Sequence, residues 1–110
     1  MDPLLQDKIQ DQIRSSSILI YMKGTPAMPM CGFSNAVVRT FDTLGARYDT
    51  VNVLDDPEIR EGIKDFSDWR TIPQVYINGE FVGGCDIILE MHQRGELAPL
   101  VQSAMEGSPA

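Results

Sequence analysis

The chain has 110 residues, which suits one folded domain with one hydrophobic core. Its formal net charge of -7 disfavours a nucleic-acid surface, which needs a basic face, and is most simply explained by solubility. Its 2 cysteines are too few for a secreted disulfide scaffold, and it contains no apolar run of the roughly 20 residues that a membrane span needs.

The first half of the chain alternates between helix and strand patterns. Apolar residues at three- and four-residue spacing predict amphipathic helices over residues 3–14 and from Gly32 to about Gly45, a usual C-cap residue. Runs rich in apolar and β-branched residues predict strands at 17–22 and 47–54. A strand, a crossover helix and a second strand form a right-handed unit with parallel strands.

Sequence patterns in the second half of the chain predict a β-hairpin between two helices. Asp55-Asp56-Pro57-Glu58 is typical of a helix start. Asn78-Gly79 separates short β-rich runs at 75–77 and 80–82, which predicts an antiparallel hairpin. A further helix begins at 83–86, where Asp86 can act as its cap.

The C-terminal part completes the predicted domain. Leu97, Leu100, Val101 and Met105 predict a short final helix. We expect one domain over residues 1–110, with its core at about 5–102 and a frayed tail at 106–110.

Cys31 lies where a strand has ended and a helix begins. The first amides of a helix have no internal partner and the helix dipole is positive there, so a thiolate is stabilised and its pKa falls below about 8.5. Lys23 would add a second positive charge. Three residues on, where a Cys-X-X-Cys pair has its second cysteine, the chain has Ser34, which cannot resolve a mixed disulfide. Cys31 must therefore work with an outside thiol or act as a lone ligand, unless it is an unreactive buried cysteine.

The sequence resembles the monothiol glutaredoxins, whose signature motif is Cys-Gly-Phe-Ser, present here as Cys31-Gly32-Phe33-Ser34. Further segments match in order and spacing over most of the chain: 22–26, 71–74 and 83–86. The predicted elements fit the fold of that family, an α/β thioredoxin-like fold with a four-stranded mixed sheet, two strands parallel and two antiparallel, flanked by helices. Arg70 departs from the pattern, because the family commonly has proline after the tryptophan.

The resemblance implies binding of glutathione and of a [2Fe-2S] cluster that bridges a homodimer. The cluster would be held by one Cys31 from each chain and two glutathione thiolates. A cluster needs four thiolates, so a chain that supplies one must take the others from a partner chain and a small thiol. The implied function is transfer of the cluster to iron-sulfur acceptor proteins, with BolA-type proteins as further partners. The alternative is a weak enzyme, a glutathione-dependent thiol–disulfide oxidoreductase that removes glutathione from proteins by a monothiol route.

The same resemblance assigns roles to individual residues. Lys23 and Arg60 match the cations that hold the glycine carboxylate of glutathione. Ile72 precedes Pro73, which is cis in this fold, and its backbone is expected to pair with the glutathione peptide like an added strand. The remaining matches are at a helix start, whose amides would take the γ-glutamyl carboxylate while Asp86 takes the ammonium. The complete predicted site consists of Cys31, Lys23, Phe33, Arg60, Thr71, Ile72, Pro73, Gly84, Cys85 and Asp86.

Simpler interpretations remain open for several of these residues. The segment 71–73 could be only a turn, and Asp86 only a helix cap. Cys85 could be a buried hydrophobe, a disulfide partner of Cys31 or, as we favour, a residue lining the site. Trp69 is expected to pack against other side chains rather than to act as a stacking platform. His92 is expected to lie on the surface, and Met22, Met28 and Met30 are expected to fill core or surface, rather than to bind a metal.

The cellular compartment is a further expectation. The first residues, Met1-Asp2-Pro3, are unlike a signal or transit peptide. We therefore expect a reducing interior such as the cytoplasm, although an organelle protein without its presequence would look similar.

Overall fold

A computed structural model describes residues 1–107 as five helices around one four-stranded sheet. Residues 108–110 of the predicted tail lie outside the described residues. In chain order the elements are α1 (Pro3–Arg14), β1 (Ile18–Met22), α2 (Gly32–Thr43), β2 (Asp49–Asn52), α3 (Pro57–Ser67), β3 (Gln74–Ile77), β4 (Glu80–Gly83), α4 (Cys85–Gln93) and α5 (Leu97–Glu106). None of these helices is long and apolar enough to span a membrane.

The sheet has the strand order β2-β1-β3-β4. β1 and β2 are parallel, whereas β3 is antiparallel to both β1 and β4. The thioredoxin-like fold and mixed sheet predicted from the sequence are therefore confirmed. The register pairs Tyr21 with Gln74, so the end of β1 lies beside the start of β3. This pairing brings the residues after β1 and before β3 to the same edge of the sheet.

Both faces of the sheet are covered, and β1 is buried along its whole length. Its side chains alternate between the faces, as the period of a strand requires. Ile18, Ile20 and Met22 pack with α2, α4 and α5, whereas Leu19 and Tyr21 pack with α1 and α3. The continuous apolar run in the sequence is thus explained by a central strand between two cores.

Two predicted boundaries differ from the structure. β2 is shorter than the predicted 47–54, because the amides at both ends of that segment bond elsewhere. Arg47 N–H donates to Met105 Sδ at 3.4 Å, and Leu54 N–H donates to Asn52 Oδ1 at 3.0 Å. The final helix includes Glu106, which the sequence placed in the tail.

The interpretation of Asp86 as a helix cap is wrong. The N-cap of α4 is Gly84, and no side chain bonds to it as a cap. Asp86 lies inside the first turn, where its charge suits the positive end of the helix dipole. In contrast, Asp56 caps α3 as predicted, since its side chain accepts a hydrogen bond from Ile59 N–H at 3.2 Å.

Candidate functional site

Cys31 is the N-cap residue of α2, with an extended backbone (φ -154°, ψ 134°), and it is half-buried. Its partial burial by itself raises the pKa of the thiol. The backbone amides of Ser34 and Phe33, the Ser34 hydroxyl and the charge of Lys23 act in the opposite direction. Together they hold the pKa of Cys31 below its ordinary value, so the sulfur is prepared to be a thiolate.

Ser34 connects the start of α2 to the end of β1. The residue is fully buried, and its Oγ accepts a hydrogen bond from Lys23 N–H at 3.1 Å. Because that bond uses an oxygen lone pair, the hydroxyl hydrogen remains available to the sulfur of Cys31. Ser34 therefore both fixes the strand-to-helix connection and stabilises the thiolate, in the position where a dithiol pair has its second cysteine.

The loop from Gly24 to Met30 folds back on itself before Cys31. Thr25 and Met28 exchange two backbone hydrogen bonds of 3.1 and 3.0 Å, and Met30 N–H donates to Lys23 O at 2.9 Å. Gly24 has a φ of +91°, and a Cβ there would lie 2.4 Å from Met28 O, so only glycine fits. A further bond from Gly24 N–H to Asn52 Oδ1 at 2.9 Å ties the loop to the end of β2.

The three methionines singled out in the sequence have two kinds of environment. Met22 is fully buried in the core. Met28 and Met30 are 69% and 62% exposed on the loop before Cys31. Phe33, two residues after Cys31, is 63% exposed, so large apolar side chains on both sides of the cysteine in sequence are open to solvent.

A cavity of about 550 Å³ opens beside Cys31. It brings together all ten residues that the sequence assigned to the site, from segments as distant as Lys23 and Asp86. Four further residues also line it, which sequence reasoning did not assign to the site: Lys64, Trp69, Arg70 and Ile87. Lys64 follows Arg60 by one helical turn, so its four-residue spacing from Arg60 could have identified it.

A second wall of the cavity is built by the segment before β3. The Ile72–Pro73 peptide bond is cis, as the resemblance implied. Gln74 is fully buried, and its Nε2 donates to Trp69 O at 2.8 Å and to Thr71 O at 3.3 Å. Tyr76 Oη in turn donates to Gln74 Oε1 at 3.1 Å. This buried amide therefore fixes the loop that carries Thr71 and Ile72.

Trp69 has both a packing and a lining role. Its ring contacts Phe81 with centroids 5.7 Å apart, and it also borders the cavity. Its Nε1 is buried without a hydrogen-bond partner among the described residues. His92 lies half-buried in the last turn of α4 and is not part of the described cavity lining.

The start of α4 forms a third wall. Cys85 is half-buried and lines the cavity while also packing against the core, and both cysteines are free. Burial first, and then the charges of Asp86 and Cys31, raise the pKa of Cys85 above its ordinary value. The surroundings of Cys85 therefore disfavour its thiolate, whereas those of Cys31 favour it.

The cavity concentrates positive charge in an acidic chain. Four of the 9 basic residues line it, together with the single carboxylate of Asp86. Lys64 pairs with Glu61 at 3.1 Å, and Arg70 pairs with Asp65 at 2.6 Å. Within residues 1–107, Lys23 and Arg60 form no ion pair. The cavity thus offers two cations without partners to an anionic ligand.

The family model for glutaredoxin matches residues 18–82. The chain belongs to the glutaredoxin family. A ycf64-like monothiol glutaredoxin of Synechocystis is 49% identical over 105 residues, covering 96% of this glutaredoxin and 98% of that protein. Glutaredoxin-related protein 5, mitochondrial, of Danio rerio is 54% identical over 98 residues. That match covers 88% of this chain but 63% of the relative, so the chain spans less than two thirds of its length.

Solved glutaredoxin structures have the same fold. The solution structure of reduced poplar apo GrxS14 is 42% identical, with a TM-score of 0.81 over 94% of this chain and 95% of that one. A buckwheat glutaredoxin crystallised as a complex with glutathione is 30% identical, with a TM-score of 0.82 over 92% of this chain and 90% of that one. The fold is thus that of solved glutaredoxins, and the monothiol relatives in sequence place this glutaredoxin in the monothiol group.

Proposed function

We propose that this glutaredoxin binds glutathione in the cavity beside Cys31 and, as a homodimer, carries a [2Fe-2S] cluster to acceptor proteins. The observation that carries the proposal is the combination of one low-pKa thiol with two unpaired cations, Lys23 and Arg60, in the walls of one cavity. The buckwheat relative solved as a glutathione complex supports the choice of ligand.

Each end of glutathione would lie against a chemically suitable wall of the cavity. The glycine carboxylate would lie against Lys23 and Arg60, since both cations suit a carboxylate. The γ-glutamyl carboxylate would accept hydrogen bonds from the first amides of α4, which no side chain caps. Asp86, exposed in that first turn, would receive the γ-glutamyl ammonium. Between the two ends, the peptide would pair with the backbone of Ile72, which places the thiol towards Cys31.

The donor set of the chain fits a cluster that is shared. Among residues 1–107, no group of three or more His, Cys, Asp or Glu side chains is placed to hold a metal ion. Cys31 is the cysteine with the lowered pKa, so one chain supplies one thiolate. Two chains and two glutathione thiols would complete the four sulfur ligands that such a cluster needs. Because the glutathione ligands exchange, the cluster is cargo that iron-sulfur acceptor proteins would take over, and BolA-type proteins would be further partners.

Anaerobic reconstitution with iron, sulfide and glutathione tests this proposal. The expected result is a coloured dimer on a sizing column, which requires glutathione and is lost in Cys31→Ser. Cys85→Ser is the matched control, because it removes the other cysteine of the same cavity and should keep the colour. A wild-type protein that remains colourless and monomeric would contradict the proposal.

The lowered pKa of Cys31 also favours a second candidate function, monothiol reduction of glutathionylated proteins. The Cys31 thiolate would attack the glutathione sulfur of a protein mixed disulfide and release the protein thiolate. A second glutathione thiolate would then attack the Cys31–glutathione disulfide, giving glutathione disulfide and free Cys31. Turnover of a glutathionylated substrate, measured beside cluster yield, separates the two functions. Ser34→Cys should weaken cluster retention if carriage is the function, but keep or raise turnover if thiol transfer is.

A further inference from the structure

Arg70 lines the cavity, where it adds a cation that sequence reasoning did not assign to the site. It occupies the place after Trp69 where monothiol glutaredoxins commonly have proline. Its guanidinium Nη1 donates to Asp65 Oδ1 at 2.6 Å, and 62% of its side chain is exposed. A guanidinium has five N–H donors, so the bond to Asp65 leaves others available. The charge is permanent, since arginine does not lose its proton in proteins.

The ion-pair partner of Arg70 shows at which end of the cavity the Arg70 guanidinium lies. Asp65 lies near the end of α3, the helix that also carries Arg60. The ion pair therefore holds the guanidinium of Arg70 on the α3 side of the cavity. In sequence Arg70 immediately precedes Thr71 and Ile72, the segment proposed to pair with the glutathione peptide. Arg70 is thus placed beside the end of the ligand that carries the glycine carboxylate.

We infer that Arg70 is a specificity-determining residue, a third cation that selects thiol peptides with a free C-terminal carboxylate. This inference rests on the proposed binding of glutathione. Because the side chain is largely open to solvent, its contribution should match that of an exposed ion pair, roughly two- to fivefold in affinity. The contribution should shrink as salt is raised from low to high concentration, because solvent-exposed charges are screened.

The test compares two ligands that differ at the glycine carboxylate. Reduced glutathione and its glycine monoethyl ester are titrated into the full-length, ¹⁵N-labelled protein under reducing conditions, and amide shifts give both affinities. The variants are Arg70→Gln and Arg70→Lys. The matched control is Arg94→Gln, because Arg94 is 63% exposed and pairs with Glu90 at 2.7 Å. It lies at the end of α4, outside the described lining of the cavity.

The expected result is selective for one ligand and one position. Arg70→Gln should weaken glutathione two- to fivefold and leave the ester unchanged, Arg70→Lys should keep most of the affinity, and Arg94→Gln should change neither. Equal losses for both ligands, no loss in Arg70→Gln, or the same loss in Arg94→Gln would each overturn the role of Arg70. A wild-type protein that binds neither ligand would instead refute the proposed function, and the inference with it.

Discussion

Two cysteines line the same cavity, and both lie at the start of a helix, yet the pKa values of their thiols are shifted in opposite directions. Cys31 is the N-cap of α2 and has a lowered pKa, whereas Cys85 is the first residue of α4 and has a raised one. Both helices offer free amides and a positive dipole end. The difference arises from the immediate surroundings: hydrogen-bond donors and Lys23 around Cys31, burial and the Asp86 carboxylate around Cys85.

The comparison shows that a helix start does not by itself activate a cysteine. The amides must point at the sulfur, and the nearest charge must have the right sign. Ser34 contributes both a backbone amide and a hydroxyl at Cys31. At Cys85 a negative charge lies on the next residue of the helix. The following predictions test this contrast.

The largest expected effect is on cluster assembly. Cys31→Ser should abolish the glutathione-dependent [2Fe-2S] absorption completely, because it removes the thiolate that we propose each chain contributes. Cys85→Ser should retain at least most of it. Visible absorption of reconstituted protein measures both, and loss of the cluster in both variants would mean that Cys85 is also a ligand.

A second prediction concerns the pH dependence of thiol reactivity. A group with a lowered pKa is deprotonated at lower pH, so alkylation of Cys31 should reach half its maximal rate at a pH below the ordinary pKa of a cysteine thiol. Alkylation of Cys85 should reach half its maximal rate at a pH above that ordinary pKa. Iodoacetamide labelling of the two single-cysteine variants, followed by mass spectrometry across pH, gives the two midpoints. Coincident midpoints would contradict the contrast.

Removing the hydroxyl of Ser34 should reduce the difference between the pKa values of the two cysteines. Ser34→Ala should raise the midpoint of Cys31 alkylation, because the thiolate loses one donor. It should also lower the free energy of unfolding by about 1–3 kcal/mol, since Lys23 N–H loses its buried acceptor.

Thr40→Val is the matched control for Ser34→Ala. Thr40 is also a buried hydroxyl residue of α2, and its Oγ1 donates to Ala36 O at 2.9 Å. The control should leave the Cys31 midpoint unchanged. An equal shift in both variants would show that loosening of α2, rather than the Ser34 hydroxyl, changes the thiol.

The smallest expected effects come from the two nearby charges. Lys23→Gln should raise the midpoint of Cys31 alkylation slightly, because the charge of Lys23 contributes least to lowering the pKa of Cys31. Asp86→Asn should lower the Cys85 midpoint, because it removes the carboxylate that disfavours the thiolate. Lys8→Gln, on α1 and paired with Asp56, serves as a control that should shift neither cysteine. Shifts of opposite sign to these would refute the electrostatic part of the contrast.

Local signals in the sequence are enough to define the order of the elements and the position of the reactive cysteine. Strong local signals were sufficient there: the apolar run of β1, the Asp56-Pro57 helix start and the Asn78-Gly79 hairpin each act within a few residues. The same is true of Cys31, because its position between a strand and a helix is a local fact. The glutaredoxin resemblance extended this to residues distant in sequence, and the structure places all of those in one cavity.

The difference in pKa between the two cysteines and the further charges at the cavity arise from packing between distant segments. The pKa of Cys85 depends on its burial, which arises when α4 packs against the core. Gly84 rather than Asp86 became the cap of α4, a distinction of one residue that pattern alone does not resolve. Arg70 lies at the cavity because Asp65, on a different element, holds its guanidinium against α3. Such properties depend on solvent exclusion and on contacts between segments, and a sequence pattern records neither.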